Sequence, residues 1–407
     1  MPGRAAVGAG RGPRAGRGRG LRWTGVSSPL PDVAVLGAGV AGLAVAWRAA
    51  RDGARVVVLE RGAAGAAASH VAAGMLAPVA EADAGERALL ALGLDSARRW
   101  PAFARELQDA TGVDVGYRET GTLVVARDRD AAEANVREAA IRAELGAPVA
   151  SLLPSQARRM EPALAPTIRG ALHAPDDHVV DPRAVVAALL AALRAHPAVE
   201  LREHAGDLVL RTDGAAVTGV GEVRAGATVL AAGAWSAAAA APLRDHGVRV
   251  PVRPVKGQLL RLHPARAGEP PLLQRVVRFD SGYLVPREDG TVILGATMEE
   301  QGFDTQVTAL GLHELLRDLH EVVPGGLELA VAETVAGLRP GTPDNTPLLG
   351  AHPHAPGLHL ATGHHRGGVL LAPVTADVVA AGLRGATDPA AGPAVAPERF
   401  DPASVAA

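Results

Sequence analysis

Near the start of the chain, short apolar runs alternate with an alanine- and leucine-rich segment of helical periodicity. Residues 32–36 are a short apolar run that leads directly into Gly-Ala-Gly-Val-Ala-Gly at 37–42, and a helical pattern follows over 43–50. Gly53 ends that pattern, and Val-Val-Val-Leu at 56–59 is again typical of a buried strand. The order of strand, glycine turn, helix and strand predicts a βαβ unit of a parallel sheet.

Later segments predict further elements of the same sheet. Asp181 and Pro182 are residue types that cap and open a helix, which we expect to run to residue 193, and a strand follows at 199–203. Apolar runs at 208–210 and 216–220 predict a hairpin, and residues 228–236 predict a buried strand that ends in a glycine turn. Near the end of the chain, residues 358–363 predict a strand and residues 369–381 an apolar helix.

Two stretches have a different pattern and predict a second domain. Residues 85–150 are amphipathic and helical, with a strand pair near 117–126, whereas residues 250–338 are strand-rich, with alternating segments at 258–262, 283–285 and 292–294. The predicted fold class is therefore α/β. A Rossmann-type domain (32–84, 151–245 and 336–384) is expected to be interleaved with an antiparallel-sheet α+β substrate domain (85–150 and 246–335).

Composition excludes several classes of protein. The 407 residues carry a formal charge of −2, which argues against nucleic acid or an anionic membrane as the main partner. Cysteine is absent, so disulfides, thiolate catalysis and cysteine-ligated metals are excluded. No apolar run reaches the roughly 18 residues of a membrane span. Residues 1–31, rich in arginine and glycine, are expected to be a disordered basic arm, and residues 385–407 a surface tail.

The glycine turn has the spacing of a dinucleotide-binding motif. Gly37 permits a tight turn, Gly39 lets the backbone approach a pyrophosphate, and Gly42 lets the helix lie close to the strand. The helix N-terminus can then bind phosphate. Glu60 ends the second strand and can accept hydrogen bonds from ribose hydroxyls. A glycine-rich packing turn is the plainer alternative.

The segment after this unit favours FAD over NAD. Residues 68–76 are a loop of small residues that can wrap closely around a flat ring, where a nicotinamide enzyme usually begins another βα unit. The late helix at 369–381 would direct its N-terminus at the cofactor and stabilise negative charge there. The Rossmann-type domain is therefore predicted to bind FAD, although the late turn could also be a packing loop.

Several motifs together resemble one family. They are the glycine turn with Glu60, Ala-Ala-Gly-Met-Leu at 72–76, Pro-Val-Lys-Gly-Gln at 254–258, Gly-Tyr-Leu-Val-Pro-Arg at 282–287, Gly-Ala-Thr-Met at 295–298, Ala-Gly-Leu-Arg-Pro-Gly-Thr at 336–342 and Gly-His-His-Arg at 363–366. Over residues 32–383 the chain resembles the FAD-dependent D-amino acid oxidase family, and within it the ThiO-type glycine oxidases of thiamine biosynthesis.

The resemblance implies a role for individual residues. Arg339 would bind the substrate carboxylate through two bonds, Arg366 would lie beside it, Tyr283 would donate to the same carboxylate, and Met298 would line the pocket. The residues implied to contact FAD are Gly37, Gly39, Val40, Ala41, Gly42, Glu60, Arg61, Ala68, Ser69, Ala73, Gly74, Met75, Asp207, Gly233, His364, His365, Arg366, Gly367, Gly368, Val369 and Leu370.

Each of the four substrate residues has a plainer alternative. Arg339 could form a salt bridge that locks a loop, Arg366 could be solvated, and Tyr283 or Met298 could simply fill a core. The chain also departs from the family pattern, because Ser281 and Gly282 are smaller than expected before Tyr283 and His365 replaces an apolar or aromatic residue. His70 lies one place out of register with the histidine that binds flavin covalently in relatives, so we predict non-covalent FAD.

The leading hypothesis is the oxidation of glycine, or of a similarly small amino acid, to an imine with formation of hydrogen peroxide. A catabolic D-amino acid or sarcosine oxidase, an amine dehydrogenase with another electron acceptor, and a non-enzymatic dinucleotide sensor are the alternatives. The expected reactants are a small amino acid and oxygen, and the expected location is cytoplasmic. A homo-oligomer and a functional link to thiazole synthase are further expectations, whereas nucleic acid and membrane partners are not expected.

Metal binding is not expected. Asp176-Asp177-His178, His352-x-His354 and His364-His365 have suitable residue types, but the sequence shows no third and fourth ligand at a recognisable spacing.

Overall fold

The computed structural model describes residues 30–83, 85–266 and 268–405, so the predicted basic arm lies almost wholly outside the described residues. The α-helices span Val40–Arg51, Ala68–Val71, Arg87–Thr111, Arg129–Glu144, Pro154–Met160, Pro182–Ala195, Ser236–Ala239, Ala309–Val322, Ala372–Leu383 and Pro402–Val405. Short 3-10 turns span Gly233–Trp235, Ala241–His246, Pro324–Glu328, His365–Gly367 and Pro393–Val395.

A six-stranded sheet forms the cofactor side of the molecule. Its strands, in spatial order, are Leu348–Ala351, Leu358–Thr362, Ala227–Leu230, Val33–Leu36, Val56–Leu59 and Val199–Arg202. All neighbours are parallel except the first pair. The predicted βαβ unit is thus confirmed, since Val33 pairs with Val56 on one side and with Ala227 on the other.

Both faces of this sheet are covered, which explains the uninterrupted apolar sequences of its strands Val33–Leu36 and Val56–Leu59. The helices Val40–Arg51, Pro182–Ala195 and Ala372–Leu383 contribute to one large apolar core on one face. On the other face, a small antiparallel sheet (Leu210–Asp213, Ala216–Val220 and Val223–Arg224) packs into a second core. The Asp181 side chain caps the Pro182 helix by accepting from Arg183 N at 2.9 Å, as its sequence position predicted.

An eight-stranded sheet forms the other half of the molecule. Its order is Ala330–Gly341, Arg253–His263, Val292–Gly295, Gly282–Pro286, Val276–Phe279, Thr122–Ala126, Gly170–Ala174 and Ala150–Leu152. Every neighbouring pair is antiparallel except Val276–Phe279 with Thr122–Ala126. The helix Ala309–Val322 packs on one face of this sheet and closes a further apolar core. The α/β class with a second, largely antiparallel sheet is therefore confirmed.

Some local predictions were wrong. The expected strand pair near 117–126 is the single strand Thr122–Ala126, because its partners come from distant segments of the chain. The loop at 68–76 contains a short helix, Ala68–Val71, and a strand, Met75–Leu76, which pairs with His178–Val179. The last apolar helix begins at Ala372, and residues 368–371, which connect it to the 3-10 turn His365–Gly367, are not helical.

The sheets also bear on the predicted domain boundaries, which stay a prediction. Strands Ala150–Leu152 and Gly170–Ala174 pair within the eight-stranded sheet, although most of that stretch was assigned to the cofactor domain. The Pro/Ala-rich tail is tied to the body by ion pairs of Arg99 with Asp388 and of Arg399 with Asp344. Within the part of the chain that the structure describes, no helix combines the length and apolar character needed to cross a membrane.

Candidate active site

A cavity of about 610 Å³ lies between the carboxyl edge of the six-stranded sheet and one face of the eight-stranded sheet. All the site residues predicted from the sequence line it, except Gly42, Gly367 and Leu370. The volume is in the range of small-molecule and cofactor sites. One end of the cavity is formed by the glycine turn and Glu60, and the other end by Tyr283 and Arg339.

The glycine turn is tight for reasons that the structure makes explicit. Gly37 has φ = 107°, and a Cβ there would lie 2.4 Å from the carbonyl oxygen of Ala231. A Cβ on Gly42 would lie 2.0 Å from the carbonyl oxygen of Gly37, so this glycine permits the close helix–strand approach without facing the cavity. The helix then begins at Val40, whose backbone N–H donates to Ser69 Oγ at 2.9 Å.

Glu60 is held rigidly at the end of its strand. Its carboxylate accepts from Ala38 N at 2.7 Å and from Gly62 N at 3.0 Å. Beside it, Arg61 pairs with Asp207 at 3.3 Å and its guanidinium lies 4.0 Å from the ring centroid of Trp235. These groups fix the wall at the end where a ribose and an adenine would lie.

At the opposite end, the floor of the cavity is the face of the eight-stranded sheet. Two glycines of this floor leave space for larger neighbouring side chains. A Cβ on Gly257 would lie 2.4 Å from Arg339 Nη1, so the guanidinium lies directly over this glycine. A Cβ on Gly295 would lie 2.7 Å from Tyr283 Cε2, so the phenol ring lies over this second glycine. Arg339 Nη1 also donates to the carbonyl oxygen of Thr297 at 3.1 Å. The floor thus presents a guanidinium and a phenol side by side.

The electrostatics of Tyr283 favour a hydrogen-bond donor. Burial raises the pKa of Tyr283, although the neighbouring Arg339 guanidinium acts in the opposite direction. The phenol therefore keeps its proton at neutral pH and can donate to an anionic group bound against Arg339.

Arg366 lines the cavity, but its guanidinium is already engaged. It donates to the carboxylate of Glu86 and, at 3.4 Å, to the carbonyl oxygen of Glu81. Glu86 in turn accepts from Asn345 Nδ2 at 2.7 Å. The structure therefore places Arg366 in a fixed ion pair at the cavity wall, and its predicted contact with the substrate carboxylate stays a prediction.

The last turn before the terminal helix brings two buried histidines to the cavity. Burial lowers the pKa of His364 to about 4, and His364 Nε2 lies 2.8 Å from Thr375 Oγ1. The pKa of His365 is also lowered to about 4, by burial and by the charges of Arg366 and Arg339. Both rings are neutral at pH 7, so this turn adds no positive charge of its own. Gly367 and Leu370 line a small neighbouring cleft instead.

Several lining residues were missed by the sequence argument. Trp235 stacks on Phe303 with ring centroids 5.6 Å apart, and Met298 beside them is 66 % exposed at the cavity mouth. Arg278 and Glu81 also line the cavity. Side-chain alternation on the strand Val276–Phe279 could have indicated Arg278, but nothing local to the sequence marks Glu81 or the aromatic pair.

Lys256, which the sequence left outside the site, is buried in a separate polar network. Its Nζ lies 2.5 Å from Asp304 Oδ2, and the neighbouring Gln258 donates to Glu299 at 2.7 Å. Gln258 Oε1 also accepts from Thr308 N at 2.8 Å. These bonds lie beneath residues 297–308 and hold in place the segment that carries Met298 and Phe303.

The structure supplies a third polar group for the His352-x-His354 pair. Asp401 Oδ2 lies 3.0 Å from His354 Nδ1 and 3.4 Å from His352 Nε2. However, His352 Nδ1 accepts the backbone N–H of His354, so the proton of a neutral ring resides on Nε2. Asp401 also accepts from Arg249 N at 2.8 Å. The cluster therefore acts as a tether for the tail.

The cavity fits a flat dinucleotide cofactor. The glycine turn and the start of the first helix line the cavity where a pyrophosphate would bind, and Glu60 lies at the ribose position. Ala68, Ser69 and residues 71–74 form one side wall. His70 is not among the lining residues and lies 3.6 Å from Glu333, which agrees with a cofactor that is not attached through this histidine. Fold and cavity together define a dinucleotide-dependent oxidoreductase.

Comparison with known proteins places the chain in a family. Residues 32–381 match the DAO family, described as FAD dependent oxidoreductase. A glycine oxidase from Geobacillus kaustophilus is 36 % identical over 358 residues, which are 86 % of this chain and 92 % of the relative. The crystal structure of glycine oxidase from that organism superposes with a TM-score of 0.80, at 33 % identity, covering 88 % of this chain and 96 % of the other.

Two further relatives are informative. A bifunctional ThiO/ThiG protein from Nostoc sp. is 36 % identical over 355 residues, which are 86 % of this chain and only 52 % of the relative. An iminodiacetate oxidase from Chelativorans sp. has a TM-score of 0.78 at 30 % identity, covering 91 % of this chain and 98 % of the other. The chain belongs to the DAO family of FAD-dependent oxidoreductases, and FAD is its cofactor.

Proposed function

We propose that the protein oxidises glycine, or an amino acid of similar size, to the corresponding imine with formation of hydrogen peroxide. The observation that carries this proposal is the pairing of Arg339 and Tyr283 over two glycines at one end of the FAD cavity. The similarity to glycine oxidases over most of the chain supports the same substrate. The likeness to an iminodiacetate oxidase supports a small carboxylated amine more generally.

The side chains of the floor would position the substrate. The Arg339 guanidinium can form two parallel charge-assisted bonds with a carboxylate, and the protonated Tyr283 hydroxyl can donate a third. A carboxylate held in this way would have its α-carbon within the cavity that is expected to hold the flavin. Holding the two reactants in one geometry is the main contribution that the protein makes to the rate.

The cofactor supplies the redox chemistry. FAD held by the glycine turn, Glu60 and the small residues after it would supply a two-electron acceptor for the hydride of the α-carbon, and oxygen would take up those two electrons as hydrogen peroxide. The substrate amine must be neutral and must lose one proton as the C=N bond forms. Glu81 is the carboxylate that lines the cavity near Tyr283, and it would hold the ammonium form before that step.

A role in thiamine biosynthesis is the finer part of the proposal. The Nostoc relative joins a segment similar to this chain to a second segment in one polypeptide, and its name pairs ThiO with ThiG. A covalent fusion in a relative supports a functional link between this oxidase and a thiazole synthase. The imine of glycine would then be the product that is passed on.

The experiment is a substrate panel with peroxide detection. Steady-state rates with glycine, sarcosine, D-alanine and D-proline are measured on the FAD-loaded enzyme, and glycine or sarcosine is expected to have the highest kcat/KM. If glycine is inert while D-proline turns over quickly, the glycine assignment is wrong. Reduction of a dye without peroxide would instead indicate a dehydrogenase.

A further inference from the structure

Most charged groups that line the cavity already have a partner. Arg61 pairs with Asp207, Arg366 with Glu86, and Asp280 with Arg127, while Glu60 accepts two backbone N–H groups. Besides Glu60, three lining groups among the described residues form no ion pair: the guanidinium groups of Arg278 and Arg339 and the carboxylate of Glu81. Arg339 and Glu81 have roles in the proposed reaction, whereas Arg278 has none.

Arg278 belongs to the same floor as Tyr283. It lies on the strand Val276–Phe279, directly opposite Tyr283 in the antiparallel pair with Gly282–Pro286. Because side chains alternate along a strand, Arg278 shares a face with Val276, which packs beside Val71 and Ala73 of the cavity wall. Opposite residues on one face have Cβ atoms about 5 Å apart. Tyr283 therefore lies between Arg339 and Arg278.

No acid among the described residues forms an ion pair with Arg278, although Glu81 lines the same cavity near Tyr283. Arg142 is a neighbouring cation, and its pKa is lowered chiefly by burial and also by the charge of Arg278. Arg142 binds the carbonyl oxygen of Val79 at 2.8 Å and pairs with Glu138, so Glu138 is already in use. Removing a guanidinium partly from water without a paired anion is unfavourable in free energy. Binding of an anion to that guanidinium would offset this unfavourable term.

We propose that Arg278 binds a second acidic group of the substrate, so that the preferred substrates are small amino acids with two carboxylates. The proposal rests on the proposed function and extends it. At the end of the cavity away from Glu60, two unpaired cations and one unpaired anion complement a zwitterion that has two carboxylates and one ammonium group. The first carboxylate binds Arg339 and Tyr283, the ammonium faces Glu81, and the second carboxylate binds Arg278.

The spacing of the strands limits the length of such a substrate. Three strand intervals, about 14 Å in all, separate the strand under the Arg339 guanidinium from the strand of Arg278. The Arg339 guanidinium already lies over the first of these strands, and the long side chain of Arg278, which lines the same cavity, can span part of the distance. The gap between them therefore suits a diacid with a few atoms between its carboxylates.

The test compares each diacid with its neutral isostere on the FAD-loaded enzyme. The first pair is iminodiacetate and its mono-amide, which differ only in the second acid on the nitrogen substituent. The second pair is D-aspartate and D-asparagine, which differ in the side chain on the α-carbon. In at least one pair, kcat/KM for the diacid is expected to exceed that for the amide at least tenfold. The responding pair shows where the second acid is attached.

Variants at Arg278 test whether this residue causes the preference for a diacid over its amide. In Arg278→Met the diacid-to-amide ratio is expected to fall to about one, and Arg278→Lys should restore part of it. Arg105→Met, which removes an exposed arginine outside the cavity, should leave the ratio unchanged. Perturbation of the flavin spectrum by malonate and by acetate provides a binding readout that needs no turnover, and the preference for malonate should disappear in Arg278→Met.

The outcomes separate the two proposals. Wild-type ratios near one in both pairs, or a ratio that survives Arg278→Met, would overturn the role of Arg278 even if glycine is a good substrate. Conversely, rapid turnover of a diacid with an inert glycine supports the Arg278 site and removes glycine as the natural substrate.

Discussion

The glycine beneath Arg339 allows a direct test of the substrate site. In Gly257→Ala the new Cβ would lie 2.4 Å from Arg339 Nη1, 2.5 Å from Nη2 and 2.6 Å from Cζ. Ordinary contact distances begin at about 3.5 Å, so the guanidinium must move by about 1 Å. The clash involves the end of a flexible side chain, so the fold should tolerate the substitution.

The expected loss can be worked out from this displacement. A misplacement of about 1 Å in a positioning group costs on the order of 100-fold in rate. Each hydrogen bond to a charged group contributes about 1.5–3 kcal/mol, so loss of one of the two bonds from Arg339 gives a similar figure. We therefore expect kcat/KM for glycine to fall roughly 100-fold, with a larger loss in Arg339→Ala, which removes the charge as well.

The assay is peroxide production by FAD-loaded protein, with the visible spectrum as a check that the cofactor is bound. Gly392→Ala adds the same methyl group where the structure has nothing within 4 Å, and it should behave as the wild type. If Gly257→Ala binds FAD and keeps the wild-type kcat/KM, Arg339 does not hold the substrate carboxylate over this glycine.

Two further predictions concern the cofactor and pH. Glu60→Ala removes the acceptor at the ribose position and should weaken FAD binding 10- to 100-fold by titration, whereas Glu200→Ala, an acid paired with Arg202 on an edge strand, should not. Burial lowers the pKa of His359 to about 4, so the unfolded chain takes up a proton near pH 6.5 that the folded chain takes up only near pH 4. The free energy of unfolding, measured in urea, should therefore decrease between pH 7.5 and pH 5. The decrease should be about 2 kcal/mol larger in the wild type than in His359→Leu. An equal decrease in the two proteins would contradict the lowered pKa of His359.

The sequence predicted the elements that local patterns define. The glycine spacing at Gly37, Gly39 and Gly42, with Glu60 after the next strand, identified the βαβ unit, and the structure shows the backbone contacts that require those glycines. The predicted carboxylate-binding role of Arg339 came from the family resemblance. The structure adds the geometry that puts Tyr283 beside it.

The remainder of the site depends on pairings between distant segments. Gly257 and Gly295 form the floor only because their strands become neighbours in the eight-stranded sheet. The strand Thr122–Ala126 pairs with segments about 50 and 150 residues further along the chain, which no local pattern specifies. Likewise, the partner of Arg366 is Glu86, 280 positions away, so the sequence could not show that this arginine is paired.

The central claim is that this cavity holds FAD and that a small amino acid bound on Arg339 and Tyr283 reduces it. The most direct measurement is the visible absorption spectrum of the purified protein during anaerobic addition of glycine. We predict flavin bands that bleach on addition of glycine and return, with hydrogen peroxide, when oxygen is admitted. A protein that stays colourless after reconstitution with FAD would contradict the account.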